Sequence, residues 1–331
     1  MSAGARPSSD RTDSFSLVLG AGGRPGLAYH AGTLLALELH GLPAAQAVSI
    51  TGTSAGSIAA AVMCGGGTAE DLAAYTTGAP PRAAFRAVAD LIALADGRRP
   101  RIDVGELRRV LDPAAAWRAA AHLRARRFSA AFAAVAPGLL EIRRRFAFLD
   151  AAASVGGPQW RIVAAERTGQ RCVLTTSDSP LSIAVAASCA IPGVFAPVVV
   201  NGRRLVDGGV HSTTNADLAS EDRSDLVIVV APMCEQASHD RPATTFQRDL
   251  DREVALLRAA GRRVVVFRPS ARLRARMGRN PLATARCREI TGGAFLEAVD
   301  VLAEVGPPRR VAASGTARRG RRRAVQPALA S

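Results

Sequence analysis

Apolar residues along this chain come in short runs broken by glycine, proline and polar clusters, and two periods alternate. Runs of β-branched and apolar residues at 15–19 (FSLVL), 48–51, 225–230 (DLVIVV) and 263–267 (RVVVF) predict buried strands. Between the first two, Leu27, Leu34, Leu35 and Leu39 recur at helical spacing and predict a helix over 27–40, closed by Gly41. The first fifty residues therefore read as one βαβ unit. Small apolar residues over 55–64 predict a second helix. Further helices are predicted over 69–95, with Leu72, Phe85, Val88, Leu91 and Ile92 as the apolar stripe, over 103–149, near 244–260 and near 284–304. Alternating segments at 160–165 and 171–176 around Gly169 predict a hairpin, and 198–206 predicts a strand folded back at Asn201-Gly202.

One uncharged run, 181–200, is long enough to cross a bilayer. It contains Pro192, Gly193 and Pro197, so it reads as a short buried helix, a turn and a strand. The N-terminal residues lack an apolar signal core, and the expectation is a cytoplasmic protein with peripheral membrane contact.

Charge divides the chain. The formal net charge is +15, every basic residue counted as Lys+Arg is arginine, and the surplus sits in two places. Residues 97–146 hold twelve arginines against four acids; residues 306–331 hold seven arginines and no acid. The remainder is neutral. Residues 1–14 read as a disordered N-terminus, 15–305 as one catalytic domain with a helical cap or insert at 97–149, and 306–331 as a basic disordered tail. The basic stretches 97–146 and 306–331 suit contact with an anionic membrane surface. Nucleic acid is not favoured, because aromatic residues do not interleave with the arginines. The five cysteines are scattered without metal-ligand or disulfide spacing, so no metal and no cofactor is expected.

The chemistry gathers around 48–57, VSITGTSAGS. Gly52-Thr53-Ser54-Ala55-Gly56 is a G-x-S-x-G turn between a predicted strand and a predicted helix, the context of a nucleophile elbow. A sharp turn of this kind holds the serine in a strained conformation and leaves no room for a Cβ two residues before or after it. Upstream, Gly20-Ala21-Gly22-Gly23-Arg24-Pro25-Gly26 links strand to helix. It lacks the spacing of a dinucleotide loop, and no acid ends the second strand to hold a ribose. Its amides suit an oxyanion hole instead. Downstream, a strand end delivers Asp207-Gly208-Gly209.

These three segments, in this order, together with ASCAIPGVFAPV at 187–198, resemble the patatin-like phospholipases over roughly residues 15–300. The resemblance implies a three-layer α/β/α core with a mainly parallel central sheet and a helical Arg-rich insert. It implies a Ser54–Asp207 dyad without histidine, an oxyanion loop at Gly20, Gly22 and Gly23, motif support from Gly52, Gly56, Gly208 and Gly209, and no metal. The substrate would be a lipid or other acyl ester. One position departs from the pattern: the basic residue usual before the last glycine of the loop is Pro25 here, with Arg24 ahead of it. Two other readings stay open: a Ser–His–Asp esterase using His211 or His239, and a non-catalytic membrane-binding scaffold.

Overall fold

The computed structural model describes residues 14–79, 138–147, 149–152, 158–236 and 242–305. Strand β1 (Phe15–Leu19) leads through helix α1 (Gly23–Leu39) to β2 (Ser49–Thr53), then α2 (Ala55–Cys64) and α3 (Ala69–Thr77). A short helix α4 (Leu149–Ala152) precedes β3 (Gln159–Glu166) and β4 (Arg171–Leu174). Helix α5 (Leu181–Ser188), β5 (Val198–Val200) and β6 (Arg203–Asp207) follow, and then β7 (Leu226–Val230), α6 (Thr245–Ala259), β8 (Arg263–Phe267), α7 (Ala271–Met277) and α8 (Cys287–Val305).

The strands form one sheet in the order β5-β6-β3-β2-β1-β7-β8, with β4 also paired to β3. Strands β1, β2, β3, β7 and β8 run parallel, whereas β4 and β6 run against β3. Alternation along β1 and β7 splits the core. Phe15, Leu17, Leu19, Leu226, Ile228 and Val230 pack with α1, α2 and α8 on one face. Val18, Val227 and Val229 pack with Leu250, Val254 and Leu257 of α6 on the other. Strands apolar on both faces require helices on both faces, and this gives the α/β/α layering that the motif order implied.

The predicted elements are largely present. The 181–200 run is a buried helix, a turn and a strand, and no helix among the described residues is long and apolar enough to cross a membrane. Asn201 and Gly202 both take positive φ, 47° and 77°, and close the β5–β6 hairpin with the backbone twist such a turn needs. Helix α1 begins at Gly23 rather than Leu27, so the glycine loop supplies its first turn.

Two expectations need correction. Residues 138–147, the described end of the predicted 103–149 helix, form a single 3-10 turn at Arg143–Arg145 and a bridge from Leu140 to Phe195. Gly138 explains part of this: a Cβ there would stand 2.1 Å from the Val194 carbonyl carbon, so the chain is pressed against another segment's backbone. Helix α7 was not anticipated; at seven residues it is too short to show a period. The remainder of the insert, the tail at 306–331 and the 80–95 part of the predicted third helix lie outside the described residues.

Candidate active site

Strand β3 acts as the ruler of the site. Its residues 159–163 pair with β2 and its residues 164–166 with β6, while β4 covers 162–165. Because β4 overlaps both partners, it must occupy the opposite edge of β3. Strands β2 and β6 therefore meet end to end along one edge, pointing at each other. Thr53 sits opposite Val163, and Asp207 sits opposite Ala164, one residue further on. Successive strand residues are about 3.3 Å apart, so the end of β2 and the end of β6 converge by register alone.

The chain leaves β2 through Ser54, whose φ of 52° and ψ of −117° place a non-glycine residue in the left-handed half of backbone space. Such a conformation costs roughly 1–3 kcal/mol and persists only where its surroundings enforce it. Here they do. The Ser54 N–H donates to Ser188 Oγ at 2.8 Å, and its carbonyl accepts from Ser57 Oγ at 2.6 Å and from Ser57 N–H at 2.8 Å. The glycines do what the turn requires. A Cβ on Gly52 would lie 2.8 Å from the Gly56 carbonyl oxygen, and one on Gly56 would lie 1.9 Å from the Leu19 carbonyl oxygen. The clash at Gly56 is thus chiefly with the end of β1, not with Gly52 as a local view of the turn suggests.

Asp207 ends β6, almost fully buried. The Ser54 side chain lies beside its carboxylate and lowers its pKa. Gly209 N–H donates to its Oδ1 at 2.8 Å, and its own N–H goes to Ala190 O at 3.0 Å. Burial pushes the Asp207 carboxyl up to about 6, with Ser54 and the Gly209 N–H pulling it partly back. Gly208 lets β6 turn here, because a Cβ on it would stand 2.2 Å from Val163 O.

The glycine loop lies across both groups, and its three candidate donors are not equivalent. Gly20 N–H is spent on Val230 O at 2.9 Å, so Gly20 belongs to the scaffold and is removed from the expected oxyanion set. Its carbonyl accepts from His30 Nε2 at 2.7 Å, which makes His30 a buried packing histidine, held neutral by burial that pushes its pKa down to about 4. Gly22 and Gly23 open α1, where a helix leaves its first N–H groups without partners of its own. Gly23 needs both its positive φ of 62° and its missing side chain, since a Cβ would lie 2.2 Å from Pro281 O.

Three supporting residues were not singled out from the sequence. Ser188, in the uncharged helix α5, accepts from Ser54 N–H and donates to Val163 O at 2.6 Å, tying the elbow to the point where β2 gives way to β6. Asn215, at φ 53°, donates to Thr53 Oγ1 at 3.1 Å. Glu253 of α6 is buried and accepts from Ser212 Oγ at 2.6 Å, Thr214 Oγ1 at 2.5 Å and Ala216 N–H at 2.8 Å. That anchors the 212–216 loop, whose Thr213 O receives Ala21 N–H at 2.7 Å. Only a polar residue stranded in an apolar run, as at Ser188, could have signalled any of them.

Histidine is not part of the cluster among the described residues. His211 is exposed, its Nδ1 lying 3.0 Å from Gly169 O in the β3–β4 turn. His239 lies outside the described residues. Nor does any group of three His, Cys, Asp or Glu among the described residues have the geometry of a metal site.

A sheet covered on both faces and a serine on a strand-to-helix elbow beside a buried carboxylate place the protein among α/β proteins with an elbow of this kind. More narrowly, the chain belongs to the patatin-like phospholipase family, whose family model matches residues 17–220 and so spans all three motifs. It is a family of lipid ester hydrolases. Among solved structures, the chain is similar to VipD from Legionella pneumophila, with 14% identity over 88% of this chain and 67% of that one and a TM-score of 0.45. It is also similar to the type III effector ExoU, with 18% identity over 91% of this chain and 54% of that one and a TM-score of 0.37. For ExoU in complex with SpcU, from Pseudomonas aeruginosa, the figures are 21%, 87%, 53% and 0.33. The chain spans about two thirds of the VipD chain and about half of the ExoU chains.

Proposed function

We propose that this chain is a serine acyl hydrolase that cleaves lipid carboxylic esters, of phospholipase A, lysophospholipase or esterase type, through a Ser54–Asp207 dyad. The observation that carries the reading is the strand register that sets Ser54 beside Asp207, a carboxylate whose burial raises its pKa to about 6. A carboxylate of that basicity is ionised at neutral pH and is still a far better proton acceptor than one in water. Ser54 Oγ adds to the ester carbonyl carbon as its proton passes to Asp207. The oxyanion so formed is met by the N–H groups of Gly22 and Gly23, a type of contact worth about 3–4 kcal/mol per donor in comparable hydrolases. Collapse breaks the carbonyl carbon–alcohol oxygen bond, and Asp207 returns the proton to the leaving oxygen. Water then attacks the acyl-serine with Asp207 again taking the proton, which releases the acid and restores Ser54.

A fluorophosphonate probe tests this directly. The expected result is one label, on Ser54, absent from Ser54→Ala. Hydrolysis of a short p-nitrophenyl ester should fall to background in Ser54→Ala and Asp207→Asn, and should largely survive His211→Ala and His239→Ala. A histidine variant as damaged as Asp207→Asn would replace the dyad with a triad.

Membrane contact through 97–146 and 306–331 is proposed on charge alone. Basic residues near an anionic surface contribute about 1 kcal/mol each, screened by salt. Deleting 307–331 should weaken sedimentation with anionic vesicles and leave turnover of a soluble ester unchanged.

A further inference from the structure

Two clefts open onto Ser54. The first runs between α2, α3 and the 142–146 segment and is walled by apolar side chains, among them Leu27, Ile58, Val62, Leu72, Phe146 and Phe195. Arg24 also lines it, but its guanidinium is stacked 5.1 Å from the Tyr75 ring centroid and bonded to the Tyr75 hydroxyl; Asp71 and half-exposed Arg145 complete the polar lining. The second cleft is lined by Gly22, Gly209, Val210, Met233, Arg274 and Arg279, and also by Asp207. The two clefts share Ser54, Gly23, Ile191 and Pro281. Pro281 is the divider: its carbonyl receives Arg24 N–H at 2.7 Å, which pins the 278–282 segment over the glycine loop.

Asp207 opens only on the second cleft. Whatever its exact course, acyl transfer requires that the group that took the serine proton return one to the departing oxygen. The departing oxygen must therefore lie on the Asp207 side. We propose that the two clefts divide the ester: the acyl chain lies in the first, and the alcohol part lies in the second, where Arg274 and Arg279 favour alcohols that carry a fixed negative charge. The charge pattern of the second cleft supports the last step. Arg274 donates to Gly278 O at 2.9 Å and has no acidic partner among the described residues. Arg279 has no ion pair or hydrogen bond among the described residues. Among the described residues, Asp207 is the only acid lining this cleft. Pro25, standing where the family pattern usually has a base, lines the same cleft, so its positive charge comes instead from a segment beyond the family-matched region.

This inference rests on the acyl-hydrolase reading. The test compares p-nitrophenyl decanoate with its ring-sulfonated analogue, which differ by one negative charge on the leaving group. In Arg279→Glu, and more so in Arg274→Gln/Arg279→Glu, the ratio of kcat/KM for the sulfonated ester over the neutral one should fall at least tenfold, chiefly through KM. Ile58→Trp should shift preference toward shorter acyl chains without moving that ratio. A ratio unmoved by the arginine variants, or moved by Ile58→Trp instead, overturns the assignment. Ser54 labelling and turnover of both esters with an unmoved ratio sinks this inference alone. No labelling and no turnover of either ester sinks the hydrolase reading and this one with it.

Discussion

The floor and the rim of the site are built by different rules. On the floor, Ser54 and Asp207 are buried, and Gly52, Gly56 and Gly208 are hemmed in by backbone atoms of another element. At the rim, α7 and the 278–282 segment are mostly exposed, and added atoms at Gly278 would meet nothing within 4 Å. The rim is held by a few polar contacts, among them the pairing of Arg276 in α7 with Glu289 of α8. Glu297 of α8 accepts from the Ser270 N–H and hydroxyl at the start of α7, and Pro281 O accepts from Arg24 N–H. The floor is over-determined because a strained serine survives only when many contacts agree. The rim needs only to stay in place, so its side chains are free to choose substrates.

The comparison can be broken at its strongest point. Gly56→Ala forces a Cβ into the Leu19 carbonyl, and the expected outcome is loss of the cooperative unfolding transition in calorimetry, not a modest shift in Tm. A folded Gly56→Ala would show that the floor yields. Next in size is the cost of burying Asp207. Its pKa is about 6 in the fold against a reference of 3.8, so the folded state holds the proton more tightly than the unfolded chain. Stability from this group is fully present below about pH 4, falls as pH rises to about 6 and is level above, a loss of up to about 3 kcal/mol. Asp207→Asn should flatten that fall in denaturant titrations across the same window. For the wild type, hydrolysis should drop as pH falls through about 6, when the base is protonated.

Ser188→Ala is a smaller blow to the floor. It leaves the Ser54 N–H and the Val163 carbonyl without their buried partner, at roughly 1–3 kcal/mol. The expected result is a roughly 10- to 100-fold loss in kcat with little change in KM, and probe labelling slowed to match. The rim should feel least. Leu282 is 48% exposed and lines the apolar cleft, so Leu282→Ser should change stability by no more than about 0.5 kcal/mol while altering acyl-chain preference. Should Leu282→Ser cost as much stability as Ser188→Ala, floor and rim would not be distinct.

Much of this was legible in residue order. Period-2 and period-3.6 runs located most strands and helices, the β3–β4 hairpin and the Asn201-Gly202 turn, because each is fixed by neighbours close in sequence. The elbow was legible for the same reason, since Ser54 and its glycines lie within five residues. Helix α7 escaped by being short, and the 138–147 segment escaped because its course is set by contact with Val194 and Phe195 rather than by its own pattern.

The sequence by itself determined a βαβ start, a strained serine and a strand-end aspartate, for local sterics and hydrophobic periodicity need no distant partner, and the resemblance it carries implied the layering. Only the tertiary structure decided the rest. It set β2 and β6 end to end on β3, turned Gly20 from donor to scaffold, and brought Ser188 and Glu253 beneath the site. It also laid residues 274–282 across a glycine loop some 250 positions away in the chain. The reason is physical. A backbone amide is spent or free according to the strand beside it, and a carboxylate's basicity depends on what excludes water from it; neither partner is near in sequence.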